Sequence, residues 1–285
     1  MNYKELSKLF RTLDKRYLKA ALRKKPKVDS HFQMPHLQST SYVQIADQHH
    51  LGRYLKLFPN FNKENLPVTF PHIMAFPRHM ELMLDRRFPF PLAGLVHIRN
   101  EIESIRPIPV HSRISMTVTI DEYTKTQKGL EFDIKTDIFH NRDCVWKSRS
   151  TILYRMASGE KPQKKDKKPF PDYQNRETFK VPVDIGLKYA DVSGDFNPIH
   201  LYPMTAKLFG YNRNIAHGMW SLTKSLELLD SKLQGPNTKI SCDFKLPIFV
   251  PSTIQFTSSE EDGRVLFGVL SKDGNRPHVI GEIQN

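Results

Sequence analysis

Apolar and polar residues alternate along several short stretches of this sequence, as they do in β-strands that bury one face. The clearest stretch is 114–120, where Ile, Met or Val alternates with Ser or Thr. Asp-Gly pairs at 262–263 and 273–274 mark hairpin turns between later strands. The predicted strands lie at about 95–105, 114–123, 130–139 and 145–156, and at about 240–246, 253–260, 264–272 and 278–283.

Apolar residues spaced three and four positions apart predict one helix in each half of the chain. The first half has a short stripe that predicts a helix at about 77–87. The second half has a longer stripe, which predicts a helix at about 218–233 that Gly235 and Pro236 end. That longer stripe consists of Met219, Leu222, Leu226, Leu229 and Leu233.

A short segment of the sequence occurs twice. Residues 106–114 match residues 246–254 at Pro, Ile, Val, Ser and Ile with a constant offset of 140. Each copy follows a predicted helix and precedes predicted strands, so the two halves have the same order of elements. One helix followed by a four-strand antiparallel meander suits an α+β unit in which a sheet wraps an apolar helix.

An acid and an imidazole, Asp195 and His200, stand five residues apart on a turn. Gly194 and the pair Asn197-Pro198 interrupt any helix that begins before them, so both side chains come from irregular backbone. A carboxylate and a neutral imidazole that face one gap can divide a proton transfer between them. The alternative is structural: Asp195 or Asn197 caps the next helix, and His200 is a packed histidine.

The residues around this turn resemble a family motif. Between 189 and 206 the chain has an aromatic residue, then Ser-Gly-Asp-x-Asn-Pro-aliphatic-His, then a small residue six positions later, and Ile-Ala-His-Gly-Met follows at 215–219. This pattern resembles the hydratase-2 signature of the MaoC-like dehydratases, also called (R)-specific enoyl-CoA hydratases. The resemblance implies a double hot-dog fold, with two fused units that each wrap an antiparallel sheet around a central helix.

The resemblance also implies an activity, the reversible hydration of trans-2-enoyl thioesters to (R)-3-hydroxyacyl thioesters without metal or redox cofactor. Asp195 and His200 would hold one water, with Asp195 as the main base and His200 positioning the water and returning the proton. The N–H of Gly218, in the first turn of its helix, would donate to the thioester oxygen. Asn197 would support the turn. Close helix packing is the alternative reason for Gly218.

The two halves differ in their candidate chemistry. Nothing between 42 and 71 reproduces the Asp-x-Asn-Pro-x-His block. If His72 aligns with His217, Ile73 replaces Gly218, and Pro77 falls within the early helix. We therefore expect a catalytically silent first unit that forms a wall for the substrate, and one active site per chain. His217 either lines the pocket or is a structural histidine at the start of the helix.

The chain is strongly basic, with 43 Lys and Arg against 30 Asp and Glu and a net charge of +13. Residues 1–30 predict a basic amphipathic helix that either packs on the body or docks to an acidic carrier protein or membrane surface. A second basic stretch at 158–172 contains prolines and predicts a linker. The predicted domains are this N-terminal segment, a degenerate hot dog at 31–157, the linker, and a catalytic hot dog at 173–285.

Other features restrict the setting and the partners. Two cysteines far apart indicate neither a disulfide framework nor a zinc site, and no apolar run resembles a membrane span or signal peptide. We expect a cytoplasmic monomer or homodimer that acts on acyl-CoA or acyl-carrier-protein thioesters. The alternatives are a hot-dog thioesterase and a non-catalytic acyl-CoA-binding or nucleic-acid-binding protein. No nucleic-acid partner is expected, because no known binding motif is present.

Overall fold

A computed structural model describes residues 20, 23–26, 28–29, 31–44, 48–156, 173–233 and 235–285. Most of the basic N-terminal segment and all of the predicted linker at 158–172 lie outside these ranges, so those two predictions and the domain boundaries stay predictions. The described end of the N-terminal segment contacts the body, since the main-chain N–H of Leu92 donates to the carbonyl of Ala20 over 3.1 Å.

The described residues form eleven strands and six α-helices. The strands are β1 (Leu37–Gln44), β2 (Leu95–Ser104), β3 (Arg113–Ile120), β4 (Tyr123–Thr126), β5 (Gly129–His140), β6 (Asp143–Arg155), β7 (Asn175–Val181), β8 (Thr238–Phe244), β9 (Ser252–Glu261), β10 (Arg264–Ser271) and β11 (Pro277–Gln284). The helices are α1 (Gln48–Leu57), α2 (Phe70–Leu84), α3 (Ile185–Ser193), α4 (Pro198–Leu201), α5 (Pro203–Lys207) and α6 (Gly218–Leu228).

All eleven strands belong to one antiparallel sheet. Its order is β1-β3-β5-β6-β2-β8-β11-β10-β9-β7, with the short β4 paired to β5. The first five strands and the last five form two units with the same internal order, joined where β2 pairs with β8. Helix α2 packs on β1, β3 and β5, and α6 packs on β10 and β11. The predicted α+β class with two fused hot-dog units is confirmed.

The predicted meander is wrong in one respect. β2 does not pair with β3, its successor in the chain, but with β6 on one side and β8 on the other. The chain crosses from β2 to β3, which pairs with β1. β1 and β7 were not predicted from the sequence. Among the described strands, β7 pairs only with β9, and it is mostly exposed, so it lacks the alternation that identifies a strand with one buried face.

The helix boundaries also need correction. The first helix runs from Phe70 to Leu84, so it begins seven residues and ends three residues earlier than predicted, and Pro77 lies inside it. Proline removes one helical N–H, but the helix buries residues before and after it, including Ala75 and His79, and this packing outweighs the local cost. The second helix ends at Leu228 and is followed by a 3-10 turn at Asp230–Lys232.

Matching hydrogen bonds define which residues of the two units correspond. The N–H of Leu66 donates to the carbonyl of Ile108 over 2.8 Å, and the N–H of Ala216 donates to the carbonyl of Ile248 over the same distance. Ile108 and Ile248 belong to the repeated segment found in the sequence. Leu66 therefore corresponds to Ala216, which puts Pro67 in the place of His217. The alignment of His72 with His217 is wrong.

Trp146 lies in the first unit at the place that corresponds to the start of α6 in the second. Its buried side chain and Pro67 line a cavity of only about 30 Å³. The indole N–H donates to the carbonyl of Val68 over 2.9 Å. Val68 takes the position of Gly218 in this correspondence, so the first unit has a valine side chain and an indole where the second unit has a glycine packed on the Phe244 ring.

Replacing Trp146 with Ala should therefore destabilise the protein by about 3–5 kcal/mol, because it opens a cavity in a packed core. Trp146→Phe should cost less, since it keeps most of the packing and loses the hydrogen bond to Val68. Unfolding in urea, followed by circular dichroism, gives both values. Equal losses for the two variants, or a loss below about 1 kcal/mol for Trp146→Ala, would contradict this assignment.

Candidate active site

A cavity of about 570 Å³ lies between the two units. The second unit contributes the turn that follows α3 and the start of α6, and the first unit contributes one face of α2 and parts of β2, β5 and β6. Most of the first unit's lining is apolar, including Met83, Ile134 and Ile152. Neither unit encloses the cavity alone.

The predicted turn has a defined backbone structure. Gly194 adopts a left-handed conformation with φ +76°, and its N–H donates to the carbonyl of Ala190 over 2.9 Å, which ends α3. The Asp195 carboxylate accepts from the N–H of Asn197 over 3.1 Å, and the Asn197 side chain accepts from the N–H of Ile199 over 3.4 Å. Both residues thus stabilise the turn, and both line the cavity.

His200 is buried at the inner end of this turn. Its Nδ1 lies 2.9 Å from the carbonyl of Ile215, which can only accept, so Nδ1 carries the proton and Nε2 is an acceptor. Burial lowers the pKa of His200, while the nearby Asp195 charge acts in the opposite direction. The backbone is held closely: a Cβ on Gly186 would lie 1.9 Å from the His200 carbonyl oxygen.

His217 is part of the same cluster and was not among the predicted catalytic residues. Its ring stacks on His200 with centroids 3.7 Å apart, and its Nε2 lies 2.9 Å from the main-chain carbonyl of Asp195 and 3.8 Å from the carboxylate. Burial and the adjacent His200 lower its pKa well below the usual value. Its position directly before Gly218 in the second matched block was the available signal.

Asp195, His200 and His217 converge. One carboxylate oxygen and one ring nitrogen from each histidine all lie within 4.8 Å of one another. Two acceptors at that distance can share one water, because two hydrogen bonds of about 2.8 Å at an open angle span it. The same set of oxygen and nitrogen atoms could also hold a divalent metal such as zinc.

Gly218 begins α6 beside this cluster. The first N–H groups of a helix have no intrahelical acceptor and carry its positive dipole end, so they can donate to a ligand oxygen. A Cβ at this position would lie 3.1 Å from the Phe244 ring. A side chain here would need the Phe244 ring to move by a few tenths of an ångström, so the glycine also suits close packing against Phe244.

Three histidines of the first unit also line the cavity, and sequence reasoning did not identify them. This histidine cluster consists of His72 and His79 on α2 and His97 on β2. The His79 ring nitrogen lies 2.8 Å from the Thr136 hydroxyl. Burial is the main cause that lowers the pKa of His79 to about 3 and of His97 to about 4. All three are thus neutral near pH 7.

The first unit retains a remnant of the turn. Tyr54, Asn60, Phe61 and Asn62 match Tyr189, Asp195, Phe196 and Asn197 at a constant offset of 135. The Asn62 side chain accepts from the N–H of Glu64 over 2.8 Å, which is the contact that Asn197 makes with Ile199. The expectation that nothing in this region reproduces the block needs refinement: the frame of the turn persists.

The remnant lacks the chemistry. Asn60 stands in place of Asp195, and the offset rises from 135 at the turn to 150 at Leu66, so the second unit has fifteen extra residues in the segment that carries His200. Acids of the second unit hold the remnant instead. Glu227 accepts from the N–H of Asn60 over 2.9 Å, and Asp230 accepts from that of Asn62 over 3.0 Å.

Comparisons with known proteins agree with this geometry. Residues 164–279 match the model of the MaoC like domain. The chain is 32% identical to 3-hydroxyacyl-thioester dehydratase X of Mycobacterium tuberculosis over 276 residues, which cover 95% of this chain and 97% of that protein. This chain belongs to the MaoC-like dehydratase family.

Further similarities support the same family. The crystal structure of HtdX from M. tuberculosis has a TM-score of 0.76 and 25% identity, and covers 87% of this chain and all of that one. An (R)-specific enoyl-CoA hydratase of Aeromonas caviae is 36% identical over 81 residues, which are 26% of this chain and 60% of that protein. The predicted enzyme class, a hydro-lyase, is confirmed.

One further finding concerns membranes. Within the described ranges, no helix combines the length and the apolar character that a bilayer crossing requires.

The buried histidines should make this MaoC-like protein sensitive to acid. The pKa values of His79 and His97 are lower in the folded state than the usual value near 6.5, so below that pH the unfolded chain binds more protons. The free energy of unfolding should be highest above pH 6.5 and fall by about 1.4 kcal/mol per pH unit for each such histidine, until the pH approaches the folded-state values.

Urea unfolding of wild type and His79→Gln between pH 7 and pH 4 measures this effect. The variant should have the shallower dependence on pH, because glutamine does not titrate. His111→Gln, which changes an exposed histidine in the loop before β3, is the matched control and should follow the wild type. Parallel curves for wild type and His79→Gln would show that His79 does not couple folding to protons.

Proposed function

We propose that this protein catalyses the reversible hydration of trans-2-enoyl thioesters to (R)-3-hydroxyacyl thioesters. The main support is the convergence of the Asp195 carboxylate with ring nitrogens of His200 and His217 within 4.8 Å, at one side of the large cavity. The catalytic assignment concerns Asp195 and His200. The relatives named as dehydratase and as (R)-specific hydratase support the reaction and its stereochemistry.

Asp195 and His200 activate one water in this proposal. The carboxylate oxygen that does not serve Asn197 and the free Nε2 of His200 both accept hydrogen bonds, so they hold the same water from two sides. Asp195 takes a proton as the water oxygen bonds to the β-carbon. The π electrons of the double bond move toward the α-carbon, and the proton that Asp195 took passes through Nε2 of His200 to that carbon, which restores both side chains. Dehydration follows the same steps in reverse.

Gly218 stabilises the charge that develops on the thioester oxygen. Its main-chain N–H stands at the positive end of the α6 dipole and donates to that oxygen as the enolate forms. His217 acts through Asp195: Nε2–H donates to the Asp195 carbonyl and keeps the carboxylate on the cavity side. Asn197 acts in the same way by holding the turn.

The substrate supplies the reacting group and needs no resident cofactor. The apolar lining from the first unit, including Met80 and Ile152, suits an acyl chain. In the same proposal, the substrate is a thioester of coenzyme A or of an acyl carrier protein. The protein is a monomer or homodimer in the cytoplasm. One chain already provides both units around the cavity, and both of its cysteines are free.

Asp195→Asn and His200→Gln should each lower kcat by about a hundredfold to ten-thousandfold, because an amide side chain still accepts a hydrogen bond from the water but takes up no proton. Loss of the conjugated double bond of trans-2-enoyl-CoA substrates, followed by absorbance, measures the rate. Asp191→Asn is the matched control, since this carboxylate lies on the outer side of α3 and pairs with Arg53. It should retain wild-type kcat.

Two outcomes would overturn the proposal. Wild-type protein that hydrates no enoyl-CoA or carrier-bound enoyl thioester of short, medium or long chain would exclude the activity. Release of free thiol from saturated acyl-CoA, detected with a chromogenic disulfide and lost in Asp195→Asn, would instead establish the thioesterase alternative.

Metal removal should leave the activity unchanged. The proposed steps use water, two side chains and a main-chain N–H, so dialysis against EDTA should not alter kcat. Added Zn²⁺ should inhibit, because Asp195, His200 and His217 have the spacing of metal ligands and a bound ion would displace the water. Activity that is lost in EDTA and recovered with a divalent ion would mean that this trio works as a metal site.

A further inference from the structure

The histidine cluster lies between the catalytic turn and the apolar part of the cavity. The His97 ring contacts the Phe244 ring at a centroid distance of 4.9 Å, and Phe244 packs directly on Gly218. His72 lies 5.1 Å from His79 and 6.2 Å from His97, measured between ring centroids. Beyond them α2 continues with Met80 and Met83. An acyl chain that lies along α2 in the first unit therefore occupies the part of the cavity that these rings line.

The cluster has hydrogen-bonding capacity that the described protein atoms do not use. His79 is paired with Thr136, but neither Nδ1 of His72 nor Nε2 of His97 has a hydrogen-bond partner among the described residues. Buried polar atoms are nearly always paired, because an unpaired one loses its bonds to water without replacement. Both nitrogens are almost completely covered by protein atoms, so a polar group on a bound chain pairs with them only when the rings turn toward the cavity, and a plain hydrocarbon chain offers them no partner in either orientation.

The neutral state of the three histidines restricts which chemical groups can pair with their free nitrogens. Burial keeps the pKa of all three histidines far below neutrality, so each ring has one donor and one acceptor nitrogen. A carboxylate on the acyl chain would need to be buried beside uncharged rings, which is costly. A hydroxyl group can accept from one ring and donate to another at no such cost.

We infer that the histidine cluster selects acyl chains that carry a hydroxyl group a few carbons beyond the reacting double bond. The inference rests on the proposed hydratase activity and adds a substrate class to it. The distance along the chain follows from the short path from Gly218 through Phe244 to His97. The two units then have different roles: residues of the second unit perform the reaction, and residues of the first unit select the acyl chain.

A substrate series tests this selection. It comprises an unsubstituted eight-carbon trans-2-enoyl-CoA and four analogues that differ only in a hydroxyl at carbon five, six, seven or eight. For at least one position, wild-type kcat/KM should exceed that of the plain chain by about tenfold, which corresponds to about 1.4 kcal/mol. His72→Leu and His97→Leu should reduce this ratio to about one and still hydrate the plain chain. Met80→Leu, on the same face of α2, should keep the ratio.

Each result decides the inference. Equal kcat/KM for plain and hydroxylated chains in the wild type, or a preference that survives in both leucine variants, would overturn it. A carboxylate-ended chain that is preferred to every hydroxylated chain would also overturn it. If the wild type hydrates no substrate, the proposed function fails, and calorimetric Kd values for saturated octanoyl-CoA and its hydroxylated analogues decide the selection by themselves.

Discussion

The antiparallel pairing of β2 with β8 is the interaction on which the site depends. It runs from Arg99 opposite Asp243 to Ser104 opposite Thr238, and an ion pair of 3.0 Å between Arg99 and Asp243 lies at its cavity end. The residues just beyond that end, His97 and Phe244, both line the cavity. A shift of register here would move the wall of one unit relative to the catalytic turn of the other.

The two units share one sheet and one cavity, but they contribute different residues to that cavity. The second unit has the turn, the extra segment with His200 and the open helix start, and the first unit has the remnant turn and Trp146. The acids that anchor the remnant, Glu227 and Asp230, come from α6 and the turn after it. The helix that begins beside Asp195, His200 and His217 therefore leads, at its other end, to the acids that hold the turn of the first unit.

Sequence patterns predicted the parts of this arrangement that are local. The stripe of α6 and the alternation of β3 depend on neighbouring residues, and the turn from Gly194 to Pro198 contains its own conformational signals. The pairing of β2 with β6 and β8 depends on contacts between distant residues, so no local pattern contains it. His97 and His72 face each other only because of that pairing, and no spacing in the sequence identifies such a group.

The packing of Trp146 into the core of the first unit has an evolutionary consequence. Recovery of a second site would need an acid in place of Asn60, the fifteen-residue insertion that carries the histidine, and removal of a core indole. Each step alone gives no catalysis, and the last removes packing from a buried core. No single substitution would therefore give the first unit a catalytic centre, whereas single substitutions can still reshape the part of the cavity that it lines.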